Sequence, residues 1–159
     1  MLLVHRFWEG LVAGTYVGHS EIFQNPTNSW RAGGGFLRGQ SAAHLRFLRL
    51  VMADGPRAGI DPIDKWQYTE MGGQAGSYYL IYFGREEPTN WVFELPRTKL
   101  ADGVKFKVEI LDTWNGTVTP VADVFVTKKK TDYTFADAAG RSVPLPGRPW
   151  IALRIKRLP

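Results

Sequence analysis

Two phrases in the last third of the chain join a strand pattern to a tight turn, and they constrain the fold most. The first, Val108 to Thr117, ends in Asn115-Gly116, a pair that predicts a type I′ hairpin turn because both positions tolerate positive φ. The second has a Pro-Gly turn before a strand. One side of that strand should face the core through Ile151, Leu153 and Ile155. The other side, exposed or under a loop, carries Trp150, Ala152 and Arg154.

The same strand signals recur along the chain after Pro62. Runs rich in tryptophan, tyrosine and β-branched residues alternate with Gly, Pro, Asn and Asp, a spacing typical of an antiparallel β-sandwich. We expect a mainly β fold with seven or eight strands, with Phe83, Ile110 and Leu153 buried. Gly72 to Gly76 is interpreted as a turn. The runs cover residues 66–71, 77–83, 90–95, 104–111, 117–126, 133–135 and 150–157.

The chain before Pro62 has a different pattern, which predicts helix, strand, loop and helix. Apolar residues at helical spacing predict a helix over Arg6 to Tyr16 and a second over Ala42 to Ala53, with Ser41 as its N-cap. Val17 to Phe23 is predicted as a strand, and Asn25 to Gly39 as a long loop. We therefore divide the chain into residues 1–61, a short α/β segment, and residues 62–159, the sandwich.

Composition and charge restrict the classes of function. The 159 residues include no cysteine, which excludes disulfides and thiolate metal sites but leaves cytoplasmic and exported locations equally open. No apolar stretch reaches the roughly 18 residues of a membrane span, so no membrane association is predicted. The net charge is +5, but the basic residues are scattered. The run Lys128-Lys129-Lys130 is interpreted as a solvated hairpin tip, and nucleic acid is not an expected partner.

Three phrases follow the segment Trp30 to Leu50 in a fixed order. They are Tyr79 to Gly84, Ile110 to Asn115 and Leu145 to Trp150. Together these phrases resemble the C-terminal part of bacterial glycoside-hydrolase-like proteins, which place a β-sandwich of unknown function after a (β/α)₈ barrel. The resemblance implies that residues 62–159 are that sandwich and that residues 1–61 correspond to the end of the barrel.

The resemblance implies no catalytic pair in this chain. A barrel of that family would cleave glycosidic bonds with two carboxylates at the C-terminal ends of two strands. Of Glu9, Glu21 and Asp54, only Glu21 belongs to a predicted strand end. One carboxylate cannot act as both acid and nucleophile. The chain alone is therefore not expected to be catalytic, and no catalytic residue and no cofactor are predicted.

The candidate ligand-binding residues all precede Pro62. His19 and Glu21 are two positions apart, so on a strand they share a face, where they can pair with each other or bind a sugar hydroxyl. Trp30 can stack on a sugar ring or cover the core. Three glycines before Arg38 favour a close-packed turn over a phosphate cradle. The complete set is His19, Glu21, Trp30 and Arg38. No metal is predicted, because the histidines lack ligand spacing.

Two functions remain open. The favoured one is an accessory, bracing part of a carbohydrate-active protein, with carbohydrate as a possible partner. The alternative is a non-catalytic binding module for a polysaccharide or an extracellular protein such as collagen. Four tryptophans can form a sugar-binding platform or belong to the core: Trp66, Trp91, Trp114 and Trp150.

A barrel segment without its barrel also predicts association. Apolar side chains of residues 1–61 should be left uncovered, favouring self-association or binding to the missing part of a barrel. This would make the chain a piece of a longer protein. The residues concerned are Phe7, Leu11, Val12, Phe23, Leu45, Leu48 and Met52.

Overall fold

The computed structural model describes residues 2–15, 17–18, 23–24, 36–37, 41–63 and 70–159. Its helices are α1 (Leu2–Val12) and α2 (Ser41–Ala53). Among these described helices, none has the length and apolar character needed to cross a lipid bilayer. The strands are β1 (Phe23–Gln24), β2 (Phe36–Leu37), β3 (Asp61–Pro62), β4 (Met71–Gln74), β5 (Tyr78–Tyr82), β6 (Asn90–Val92), β7 (Glu94–Pro96), β8 (Lys105–Asp112), β9 (Thr117–Lys129), β10 (Thr134–Asp137), β11 (Ser142–Pro144) and β12 (Ile151–Arg157).

Eight strands form one antiparallel sheet in the order β3-β4-β5-β12-β8-β9-β10-β7. Met71 of β4 and Leu95 of β7 lie near opposite edges of this sheet, yet both belong to one buried apolar core. Within that core Phe93 stacks on Phe125 of β9, with ring centroids 4.7 Å apart. The sheet therefore curls until its two ends share an interior. Two further ladders pair β1 with β2 and β11 with β6.

A second core lies on the opposite face of the central strands, beneath the two helices. Leu80 and Ala152 of the sheet are fully buried there. From the helices, Trp8 is also fully buried, and its ring lies 6.3 Å from that of Phe47. The helical segment and the sheet thus share a hydrophobic interior, which fixes α1 against β5.

The end of α1 is set by a glycine. The helix was expected from Arg6 to Tyr16, but it runs from Leu2 to Val12. Gly14 has φ +69°, and the N–H of Thr15 donates to the carbonyl of Gly10 at 2.8 Å. This is a Schellman-type end, which needs the left-handed conformation that glycine adopts without strain. The second helix, predicted over Ala42–Ala53, is confirmed.

The expected exposure of one side of β12 is wrong. Because β12 pairs with β5 on one side and β8 on the other, it lies at the centre of the sheet. Ala152 and Arg154 are buried beneath the helices, and Leu153 is buried in the other core as predicted. Trp150 precedes the strand and has φ +68°. Phe83 and Ile110, expected to be buried, are half-buried at the edge of the core.

The hairpin between β8 and β9 is present, but its turn differs from the type I′ prediction. Asp112 pairs with Thr117, which leaves a four-residue loop. Gly116 has φ +67°, whereas Asn115 has no positive φ. The Asp112 carboxylate accepts hydrogen bonds from the N–H groups of Trp114 and Asn115 at 3.1 and 2.8 Å. This side-chain cap stabilises the longer loop in place of the two-residue turn.

Other predictions have mixed outcomes. The mainly β, antiparallel character is confirmed. The finer prediction of two stacked sheets is not confirmed, and the barrel-like nature of residues 1–61 and the boundary at residue 61 stay predictions.

Gly72 and Gly73, interpreted as part of a turn, lie in β4. Val17 and Gly18 lie outside any strand, although Phe23 pairs with Leu37. Lys128 and Lys129 lie in β9 and are exposed.

Candidate functional site

A cleft of about 410 Å³ opens where α1 meets the end of β5 and the loop that follows it. Its volume lies within the range of small-molecule sites, roughly 300 to 1,000 Å³. Helix α1 contributes His5, Glu9 and Val12, and Ala13 follows the helix. The rest comes from the end of β5, from the loop after it and from the residue before β4. The remaining lining residues are Glu70, Tyr82, Phe83, Gly84, Arg85 and Glu86.

Three polar side chains form a row at the floor of the cleft. His5 Nε2 lies 3.1 Å from Glu9 Oε1, and His5 Nδ1 lies 3.2 Å from the Tyr82 hydroxyl. One tautomer satisfies both contacts, with Nε2–H donating to the carboxylate and the hydroxyl donating to Nδ1. The row connects a helix to a strand 77 residues away.

Burial controls the protonation of His5. The residue is only 7% exposed. Desolvation lowers the pKa of His5 below its usual value of 6.5. The Glu9 carboxylate opposes this shift, and the nearby Arg85 adds to it. The imidazole is therefore mostly neutral near pH 7. Burial also raises the pKa of Tyr82 strongly, so its hydroxyl keeps its proton.

Two backbone features hold the imidazole in place. Gly84 has φ +60°, a conformation that favours glycine, and a Cβ at this position would crowd His5 Cε1 at 3.0 Å. The N–H of Trp150 donates to the Gly84 carbonyl at 2.7 Å. The Trp150 ring meets His5 edge-on, with centroids 5.2 Å apart. Trp150 itself adopts φ +68°, a strained conformation for a bulky residue that such bonds must maintain.

The cleft has the chemistry of a polar binding site. Glu9, Glu70 and Glu86 supply carboxylate acceptors, and Arg85 supplies guanidinium donors. Both Glu9 oxygens have partners, because Oε2 also lies 3.3 Å from Arg6. Within the described ranges, no group of three His, Asp or Glu side chains has metal-binding geometry. The carboxylates and the guanidinium can form hydrogen bonds to a polar ligand.

The ligand-binding residues predicted from the sequence cannot be compared with this cleft. His19, Glu21, Trp30 and Arg38 all lie outside the described residues, and so does Trp66. The other three tryptophans of the predicted platform are half-buried in separate places. Trp91 packs on Phe93 at 5.6 Å, Trp114 stacks on His44 at 3.9 Å, and Trp150 contacts His5. These three contacts are those of core and packing residues.

Sequence reasoning missed the cleft. The available signal was the spacing of His5 and Glu9, since residues four apart lie on the same side of a helix. The polar run Gly84 to Pro88 directly after a buried strand was a second signal, typical of a functional loop. Nothing local indicates that these two segments meet.

Comparisons with known proteins agree with the mainly β fold. Residues 66–156 match a family model described as Domain of unknown function (DUF5605). The chain also resembles the crystal structure of a candidate glycoside hydrolase from Bacteroides vulgatus ATCC 8482, with a TM-score of 0.82 and 32% sequence identity. That match covers 97% of this chain and 32% of the other, so the chain spans about a third of that protein's length. No curated protein matches the chain.

Proposed function

The chain belongs to the DUF5605 domain family, and we propose that it is a non-catalytic accessory part of a larger, glycoside-hydrolase-like protein. The observation that carries this proposal is the extent of the structural match: nearly the whole chain corresponds to about a third of a candidate glycoside hydrolase. A unit of that size leaves most of the relative's length for the chemistry. The similarity supports a carbohydrate-related role.

The shared core supports a bracing role within such a protein. Trp8 of α1 and Leu80 of β5 are completely buried in the interface between helices and sheet. Side chains packed in this way transmit position between elements, because close-packed interiors deform little. A neighbouring domain attached at α1 would therefore be held in a defined position relative to the sheet.

The cleft carboxylates do not form a convincing glycosidase pair. Glycoside hydrolysis needs a protonated acid and a second, ionised carboxylate on opposite sides of the scissile bond. The Glu9 side chain is 43% exposed, and its two oxygens are bound to His5 and Arg6. The contacts of Glu9 are those of a carboxylate oriented by two neighbours on its own helix, and among the described residues no second carboxylate is placed opposite it across a bound glycosidic bond.

The test compares the purified chain with a longer protein that includes the coding sequence upstream of Met1. We expect no hydrolysis of 4-nitrophenyl glycosides by the chain and measurable hydrolysis by the longer protein. Hydrolysis by the chain itself that disappears in Glu9→Gln or Glu21→Gln would overturn the proposal. Absence of an upstream enzyme domain would overturn it as well.

The alternative, an independent binding module, is separated by a second measurement. Sedimentation of the chain with insoluble polysaccharides and with fibrillar collagen would show tight binding if the module acts alone. Such binding, with no hydrolysis by the longer protein, would favour the alternative over the accessory role.

A further inference from the structure

The cleft at the junction of α1 and β5 has a lining suited to one class of ligand. We propose that it binds a non-acidic sugar residue, as a secondary subsite. This inference rests on the proposed accessory role in a carbohydrate-related protein and assigns a site within it.

The charge of the lining excludes acidic ligands. Glu9, Glu70 and Glu86 contribute three carboxylates and Arg85 one guanidinium. Arg6, beside the cleft, pairs with Glu9, which leaves an excess of one negative charge. His5 does not offset this excess, because burial lowers its pKa and keeps it neutral. A uronate or a sulfated sugar would therefore be repelled, whereas an uncharged sugar meets no such penalty.

The polar groups match the hydrogen-bonding needs of a sugar. Hydroxyl groups both donate and accept, and they need carboxylate acceptors beside N–H donors. Glu86 and Arg85 are adjacent in the loop after β5, and they place both functions on one wall of the cleft. Glu9 faces them from α1. Its carboxylate is oriented by the bond from His5, which is itself fixed by Tyr82.

The remaining lining provides the apolar surface that the C–H face of a sugar ring requires. Phe83 is half-buried and presents this surface, whereas Val12, which is only 1% exposed, closes the cleft from behind. Ligand sites generally combine such apolar walls with a few convergent polar groups. The cleft is also preformed, because the Gly84 carbonyl is bound by Trp150 and the imidazole of His5 packs against Gly84. A preformed site loses less entropy on binding.

The experiment is calorimetric titration of the chain with cellotetraose, xylotetraose and mannotetraose, and with trigalacturonic acid as the acidic counterpart. Glu86→Gln and Glu9→Gln remove one carboxylate each. The matched control is Glu87→Gln, which makes the same charge change at the neighbouring exposed residue outside the cleft. Thermal unfolding of every variant checks that each is folded.

We expect at least one neutral tetrasaccharide to bind and trigalacturonic acid not to bind. Each cleft variant should weaken binding about tenfold, the change for one lost hydrogen bond to a charged group, while Glu87→Gln leaves it unchanged. Equal weakening in Glu86→Gln and Glu87→Gln, binding of the acidic sugar alone, or no binding at all would each overturn the inference. The hydrolysis test of the longer protein is independent of these outcomes, so the two proposals can fail separately.

Discussion

Arg154 of β12 and Glu109 of β8 lie directly opposite each other in the sheet, and Arg154 Nε lies 2.6 Å from Glu109 Oε2. The Arg154 side chain is only 7% exposed, and it also lies 2.8 Å from Asp54, just after α2. Lys156 contacts the same two carboxylates. The network therefore connects the end of α2 to the centre of the sheet.

Glu109→Gln is expected to lower the free energy of unfolding by about 1–2 kcal/mol, because it leaves a buried guanidinium with a single, exposed partner. Urea unfolding measures this change. The control is Asp132→Asn, which removes the exposed ion pair with Lys129 and should lower the free energy of unfolding by less. Equal losses in the two variants would contradict a special role for the buried pair.

Strands with a clear pattern of apolar residues could be predicted from the sequence, but the burial of the Arg154 side of β12 could not. The patterns of β5, β8 and β12 were visible in runs of apolar residues. A charged residue such as Arg154 indicates an exposed face, and its burial depends on Asp54 and Glu109, which lie 100 and 45 positions away. The turn after β8 differs from the predicted type I′ turn because the Asp112 carboxylate competes with the two-residue turn that Asn115-Gly116 favours.

Gly72→Ala should detach α1 from the sheet edge. A Cβ on Gly72 would lie 2.6 Å from the Val12 carbonyl oxygen, and neither backbone can move away freely. We expect a loss of about 1–3 kcal/mol in unfolding free energy. Gly18→Ala, where a Cβ meets nothing within 4 Å, should change stability by less than about 0.5 kcal/mol. A neutral Gly72→Ala would mean that α1 does not pack on β4 in this way.

The titration of His5 should reveal its buried, neutral state. The NMR signal of its Cε1 proton is expected to titrate below pH 6.5, because desolvation lowers the pKa. Glu9→Gln should lower the midpoint further, since Glu9 favours the imidazolium, whereas Glu87→Gln should not. With a folded pKa below the unfolded value, this group stabilises the fold above about pH 6.5, and that contribution declines as the pH falls. A midpoint above 6.5 would contradict the burial of His5.

Asp137 should account for part of the loss of folding stability at low pH. Its carboxylate is fully buried, and hydrogen bonds from Arg141 hold its pKa well below the usual range, helped by the Val126 N–H. Asp137→Asn is expected to cost about 2–3 kcal/mol at neutral pH. Because the folded pKa is lowered, the contribution is complete above about pH 5 and declines as the pH falls toward 2. Urea unfolding of the unmodified chain and of Asp137→Asn across this pH range should show the difference in unfolding free energy shrinking. A difference that stays constant would mean that the ionised carboxylate is not the source of the stabilisation.

The candidate cleft was beyond prediction for a physical reason. His5 and Glu9 have the spacing of neighbours on one helix face. Tyr82 and Gly84 meet them only because α1 packs on the sheet, and His5 and Tyr82 are 77 positions apart in the sequence. Such a contact depends on the whole topology, which local patterns do not determine. The ligand-binding role predicted for His19 and Glu21 stays a prediction, because both lie outside the described residues.

Association through the helices is the last expectation. Val12 and Leu48, expected from the sequence to be uncovered, are buried within this chain. Leu50 of α2 is 54% exposed, and Phe7, Leu11 and Met52 are half-buried. If the outer surface of the helices contacts another copy of the chain, Leu50→Asp should reduce self-association, because it places a charge in an apolar contact. Val118→Asp changes a comparably exposed residue on β9, 42% exposed, and should leave association unchanged. Sedimentation equilibrium measures the association of both variants. If the unmodified chain is a monomer at high concentration, or if both variants have equal effects, the helices are not the contact surface.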